Sequence, residues 1–288
     1  PFREVMGNSG AAKKVAGKKA PDYVFGWKVD GTYNGESLSG SGKIGGMLAL
    51  RDPDGLFPLQ ADVRSGKTRV AVAGTLSDPL NLGALDLRLQ FSGQSLSQLH
   101  KLTGIVLPDT PPYSTDGHLS AELKRAKGAI YRYQNFNGKI GDSDIHGSLS
   151  YQVSKPRPSL NGELVSNQLR FADLAPLIGA DSNQEKVNRG DKATQPSDKV
   201  LPADKFDTKQ WSTMDADVKF TAKRIEHGES LPLSDLYTHL VLNNGTLLMD
   251  PLRFGVAGGN LNSTIRLEGQ RTPMRGMADL HARGFQLQ

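Results

Sequence analysis

Apolar and polar residues alternate along much of this chain, and the alternation recurs. Leu85, Leu87, Leu89 and Phe91 interleave with Asp86, Arg88 and Gln90. Leu119, Ala121 and Leu123 interleave with His118, Ser120, Glu122 and Lys124, and Leu261, Ile265 and Leu267 with Asn260, Asn262, Thr264, Arg266 and Glu268. A period of two sends one residue class to each side of a β-strand, so these segments predict strands with one dry and one wet face. The pattern also repeats at long range. The strand at 85–91 runs into Gln94–Gly104, the strand Ser159–Val165 runs into Arg170–Gly179, and the two closing glycines stand 75 positions apart. Val72-Ala-Gly-Thr-Leu76 and Ile145-His-Gly-Ser-Leu149 are related by 73 positions, and a third, partial copy begins near Asp215, with Asn260–Gly269 in place of the second element. Repeated amphipathic strands cannot each close a core, so an array at fixed spacing predicts one sheet that each copy lengthens.

Turn chemistry divides the strands. Asp30-Gly31, Asn34-Gly35, Asp54-Gly55, Asn137-Gly138 and Asn244-Gly245 predict hairpin turns, because both turn positions need positive φ. Two short helices of about two turns are expected. Ser95 with Gln98 reads as a capping box ahead of Leu96, Leu99 and Leu102, and Phe171, Leu174, Leu177 and Ile178 give the second helix one apolar side. Both are expected at an edge or end of the sheet, closing off its apolar face. The fold class is therefore all-β: an elongated, curved, mostly antiparallel sheet whose repeats form an apolar groove, with two short helices. Residues 1–21 read as a flexible basic segment carrying Arg3, Lys13, Lys14, Lys18 and Lys19, and 22–288 as one repeating β-groove domain. Within it, 180–210 lacks large apolar residues and reads as a mobile loop.

Composition removes several function classes. There is no Cys, so no disulfide framework, thiolate metal site or thiol nucleophile exists. The net charge of +5 owes much to the N-terminal segment, and basic residues are not interleaved with aromatics as stacking on nucleic acid requires. Mean hydropathy of −0.43, aromatics at 7% without a girdle pattern, and wet faces of both charge signs argue against an outer-membrane barrel. No run of about 18 apolar residues occurs, nor an N-terminal signal-peptide core. The chain opens Pro1-Phe-Arg-Glu without an initiator Met, and is expected to be a piece of a longer protein.

Candidate chemistry is thin. Ala61–Thr68 fits a relaxed phosphate-loop pattern and Gly40–Gly45 a dinucleotide fingerprint, but both need a helix directly afterwards. Lys67 is followed instead by the alternating Arg-Val-Ala-Val-Ala, so Ser65-Gly66 reads as a turn, and too few residues follow Gly45-Gly46 before Asp52-Pro-Asp-Gly55. Asp142, Asp144 and His146 fall on one strand face and suit a metal ion, yet Ser148, Ser150 and Gln152 continue that face as an ordinary wet surface. No nucleophile elbow or carboxylate pair stands out, so no catalytic residue, metal or cofactor is assigned.

Leu107-Pro-Asp-Thr-Pro-Pro-Tyr113, Leu169–Gly179, Asp215–Ile225, Leu231-Pro-Leu-Ser-Asp-Leu236 and Asp250–Gly259, taken in order, resemble the AsmA family of Gram-negative envelope proteins. The resemblance implies an inner-membrane anchor ahead of Pro1, a periplasmic body, and a β-groove whose apolar inside conducts phospholipids toward the outer membrane. It supplies no catalytic residues. Groove-lining candidates from the alternation are Leu85, Leu87, Leu89, Phe91, Leu119, Leu123, Leu149, Leu261, Ile265 and Leu267. Partners implied are phospholipid acyl chains, membranes through the anchor and envelope proteins, with no nucleic acid. Alternation alone does not separate a groove from a packed core, and a β-sandwich scaffold or protein-interaction module in envelope assembly is the competing reading.

Overall fold

The computed structural model of the chain describes residues 22–52, 55–99, 110–170, 173, 208–226, 233–256 and 258–284. The basic segment expected at 1–21 and nearly all of the loop expected at 180–210 lie outside the described residues. One fourteen-stranded sheet contains every strand among the described residues, in the order of the sequence. Its members are β1 (Phe25–Tyr33), β2 (Glu36–Ile44), β3 (Leu56–Ser65), β4 (Thr68–Ser77), β5 (Ala84–Gly93), β6 (Tyr113–Glu122), β7 (Ile130–Ile140), β8 (Ser143–Gln152), β9 (Ser159–Arg170), β10 (Asp215–Glu226), β11 (Leu233–Asn243), β12 (Thr246–Val256), β13 (Gly259–Glu268) and β14 (Arg275–Arg283). The sheet is open and curved. Every junction is antiparallel except that of β9 with β10, which is parallel, so the chain leaves β9 at one end of the strands and enters β10 at the other.

Local sequence explains most junctions. Asn34 and Gly35 (φ 48° and 81°) close the first hairpin and Asn244 and Gly245 (φ 46° and 73°) the one between β11 and β12. Gly66, at φ 55°, forms the turn expected after Ser65, and β4 follows where a phosphate loop would need a helix. Two expected turns do not form. Asp30 and Gly31 lie inside β1, opposite Ser39 and Leu38, because the better turn pair at Asn34-Gly35 fixes the register. Asn137 and Gly138 lie inside β7. A register shift there puts Asn135 at φ 50°, and the reversal comes later, at Gly141 (φ 59°). Further shifts in β7–β8, β11–β12 and β12–β13 bend the sheet locally.

The repeated Gly-Ser/Thr-Leu element has a steric cause. Gly74 in β4 and Gly147 in β8 hold equivalent places, and a Cβ on either would stand 2.1 Å from a carbonyl oxygen of the next strand, that of Asp86 or of Glu163. Only glycine permits so close an approach.

Both expected helices fall largely outside the described residues, and Asp173, the one described position of the second, is helical. The described part of the first, Leu96–Leu99, is a 3-10 turn rather than α-helix. Ser95 Oγ accepts from the N–H groups of Ser97 (3.2 Å) and Thr110 (2.9 Å), while Thr110 Oγ1 accepts from Leu96 N (3.0 Å). The acceptor needed for a capping box is thus spent on clamping both ends of the β5–β6 connection. Positions 100–109 lie outside the described residues, as does the second expected helix apart from Asp173. That carboxylate accepts from Asp142 N, Ser143 N and Ser143 Oγ, fastening the segment after β9 to the β7–β8 turn. A five-residue helix not expected from the sequence, α1 (Met47–Arg51), links β2 and β3.

Gly74→Ala and Gly147→Ala are expected to cost about 3 kcal/mol each, at the upper end for a forced clash. Gly31, where an added methyl would meet nothing within 4 Å, is the control. Urea denaturation checks this, and equal effects at all three positions would refute the steric account.

Candidate functional site

The sheet register carries the apolar positions across all fourteen strands without a break. Phe25, Ile44, Leu59, Gly74, Leu87, Leu119, Tyr133, Leu149, Gly162, Val218, Leu240, Met249, Ile265 and Ala278, one per strand, are successive cross-strand partners. Paired residues share a face, so this line crosses the whole sheet on one side without a charged side chain. A parallel line through Leu164, Phe220, Thr238, Leu252, Ser263 and Leu280 is also free of charge. Register shifts preserve the face. In β7, Tyr131 and Tyr133 precede the shift and Phe136, Gly138 and Ile140 follow it, all on the apolar side.

Each strand makes its substantial contacts with its sheet neighbours. Among the described residues the contacts from outside the sheet are far sparser: α1 on β3, the 3-10 turn Lys209–Ser212 on β12, and Leu96 against the side chains around Tyr113. No second layer therefore lies on the apolar face there, and most of its side chains are half-buried rather than sealed. Packing is densest toward the end of the strands where β5 stops. Tyr113, Phe136, Ile140 and Ile145 are buried there, with Phe91, Leu96, Tyr133, Leu149 and Leu164 against them. Phe91 meets Tyr113 edge-on at 5.4 Å, and Tyr133 stacks on Phe136 at 4.9 Å. Burial pushes the phenols of Tyr113 and Tyr133 up to about 12, and the Tyr133 hydroxyl donates to Thr115 Oγ1 at 2.9 Å. Leu169, Ala222 and Ile225 form a second cluster toward the same end.

The sequence-derived positions fall as follows. Leu85, Leu87, Leu89 and Phe91 share the apolar face of β5, opposite Ala121, Leu119, Gly117 and Thr115. Leu149 faces Tyr133 and Gly162, while Leu261, Ile265 and Leu267 face Phe254, Met249 and Leu247. Leu123 lies just past the end of β6, its N–H donating to Gly83 O at 3.0 Å, at the rim of the face. Leu87 is buried, and the others are half-buried. Sequence reasoning missed Trp27, Phe57, Tyr133, Phe136, Phe220 and Met249. β2 reads Glu-Ser-Leu-Ser-Gly-Ser-Gly-Lys-Ile, too glycine-rich to show its dry face, and β7 and β12 change phase partway. Aromatic spacing at Tyr131, Tyr133 and Phe136 was the available signal for β7.

The opposite face is wet and tied by ion pairs and hydrogen bonds between neighbouring strands. Arg69 bonds Asp62 at 2.6 Å, Arg88 bonds Asp116 at 2.7 Å, Arg132 bonds Glu122 at 2.7 Å, and His239 bonds Asp217 at 2.7 Å. The Arg69 guanidinium holds the Asp62 carboxyl below its ordinary range, and Arg88 does the same to Asp116. A cleft of about 470 Å³ borders this region, with Asp116, Lys139, Asp144 and His146 among its walls. Its carboxylates are committed. Asp116 is held by Arg88 and Gln90, and Asp144 accepts from Gln168 N (2.7 Å), Asn167 N (3.0 Å), Asn167 Nδ2 (2.9 Å), Ser166 Oγ (3.1 Å) and His146 Nε2 (2.7 Å). Asp142 pairs with Arg170. The metal-like trio of the sequence is thus divided between two structural networks.

The family profile described as "AsmA family" matches residues 3–288. The chain belongs to the AsmA family. It is similar to the AsmA family protein YhjG of Escherichia coli (strain K12), with 55% identity over 294 residues. The match covers 100% of this AsmA-family chain and 42% of that relative. No solved structure matches. Membership suggests an envelope-related function.

Burial opposes ionisation of Asp144, but the hydrogen bonds from Gln168, Asn167 and His146 outweigh it and hold the carboxyl well below the ordinary carboxylate range. A depressed folded-state value stabilises the fold above the unfolded pKa and is lost as pH falls. Asp144→Asn is accordingly expected to cost about 2 kcal/mol at neutral pH, and the gap to the unsubstituted protein should narrow below about pH 4. Denaturation at several pH values checks this. A gap independent of pH would contradict it.

Proposed function

We propose that this chain is a non-enzymatic lipid-binding segment of an envelope protein, and that its apolar face conducts phospholipid acyl chains between the inner and outer membranes. The observation that carries the reading is the uncharged line from Phe25 to Ala278, running across the strands with no described layer covering it. A sandwich core needs an opposing sheet, and among the described residues all strands belong to one continuous sheet.

The chemistry suits an acyl chain. Burial against Leu, Phe, Val and Tyr side chains is worth about 0.8 kcal/mol per methylene removed from water. A charged head group stays in water at the open side. Successive strands stand about 4.8 Å apart, so apolar sites follow one another at small, near-equal steps. Sliding among near-equivalent sites requires no turnover chemistry within this segment. Family membership supports the envelope setting, with a periplasmic location and an inner-membrane anchor elsewhere in the full-length protein as parts of the same proposal.

Organic extraction of the purified chain followed by lipid mass spectrometry tests the reading. Phospholipid is expected in the unsubstituted protein and in Asn161→Asp, an exposed outer-face position. Leu89→Asp and Ile265→Asp, half-buried on the apolar face, are expected to lower the yield about tenfold because a carboxylate against an acyl chain loses hydration. Their melting temperatures should move by no more than about 5 °C, since a groove-lining carboxylate still reaches water. Absence of lipid from all proteins, or unfolding of both face variants, would favour the scaffold reading.

A further inference from the structure

The two lips of the groove, formed by the strand ends, differ in chemistry. One lip carries the turns after β1, β3 and β7, and among its described residues Tyr33 on the edge strand is the one exposed large apolar side chain. Asp142 there is paired with Arg170, and Asp173 is held by the β7–β8 turn. The other lip carries α1 and the connections after β4, β6 and β8. Here Leu48 is 88% exposed and Leu80 66%, and Val24, Met47, Leu82 and Val153 are exposed as well. Interspersed are the exposed cations Arg51, Lys127 and Lys155, which have no ion-pair partner among the described residues.

We infer that this second lip docks on the surface of an anionic phospholipid bilayer. The large apolar side chains stand at the tips of separate turns and form no single flat patch. Leucines projecting singly between cations fit a layer of phosphates over acyl chains, where each leucine enters the boundary and each cation meets an anionic head group. The features run from β1 to β9, eight strand spacings or about 40 Å, so contact is multivalent along one line. Docking is separate from cargo, and holds whether or not lipid occupies the groove.

Flotation of the full chain with vesicles tests it. The protein should float with vesicles of phosphatidylcholine mixed with phosphatidylglycerol and not with phosphatidylcholine alone. Leu48→Ser combined with Leu80→Ser should weaken binding about tenfold. Lys127→Glu combined with Lys155→Glu should weaken it about 25-fold, at roughly fivefold per cation. Both double variants should keep the parent's melting temperature and its lipid yield on extraction, separating this claim from groove occupancy. Equal flotation of variants and parent would overturn the inference and point to the basic residues near the N-terminus. Binding to neutral vesicles alike, or to neither kind, would also overturn it. So would self-association in sedimentation that the leucine variants abolish, which assigns the lip to a second copy, or a loss of melting temperature showing that these leucines are packed.

Discussion

Phase is the constraint on which the structure depends: the two-residue alternation of apolar and polar side chains must stay in step across thirteen strand junctions. A slip of one residue at any junction would turn the dry face of every later strand toward the ion-paired side. The junctions show how this is prevented. Asn-Gly turns lock the register of β1–β2 and β11–β12 through positive φ. At β6–β7 and β12–β13, register shifts absorb an odd residue count, so that Phe136 and Leu252 return to the face held by Tyr133 and Met249. The parallel β9–β10 junction keeps phase too, with Leu164 beside Phe220 and Ser166 beside Ala222.

Stability and openness are reconciled by putting them in different places. Aromatic packing around Tyr113 and Phe136, with the Leu169 cluster, gives the sheet compact cores toward one end of its strands. Ion pairs such as Arg88 with Asp116 hold the outer face, each worth little when exposed but consistent in choosing which side is wet. The middle of the dry face is then left half-buried. Close backbone approach at Gly74 and Gly147 draws neighbouring strands together at equivalent points of the repeat, which ties the sequence period to the geometry of the sheet.

The parts of this arrangement visible in the sequence were those with uninterrupted alternation. β5, β6 and β13 declared both faces, and the recurrence of Gly74 at Gly147 announced an array. What stayed hidden has identifiable causes. Alternation carries no information on strand direction, so the parallel junction could not be read. Asp30-Gly31 and Asn137-Gly138 have the composition of turns but lie within strands, because neighbouring pairings and the shift at Asn135 override local preference. Ser95 looked like a helix cap, and its partner is Thr110, fifteen positions away. At the site, Leu89 and Ile265 were legible while Trp27 and Tyr133 were not. The exposed leucines of one lip, Leu48, Leu80 and Leu82, gain meaning only once the fold brings their connections to the same side.

Photo-crosslinking along the dry face tests the central claim most directly. A photoreactive side chain placed in turn at Trp27, Leu89, Leu164 and Leu252 samples the face from β1 to β12 on one line. The account predicts phospholipid adducts at all four positions, and none at the outer-face positions Ser41 and Asn161. Adducts confined to one position, or formed equally on both faces, would show that the apolar face is not a continuous path for acyl chains.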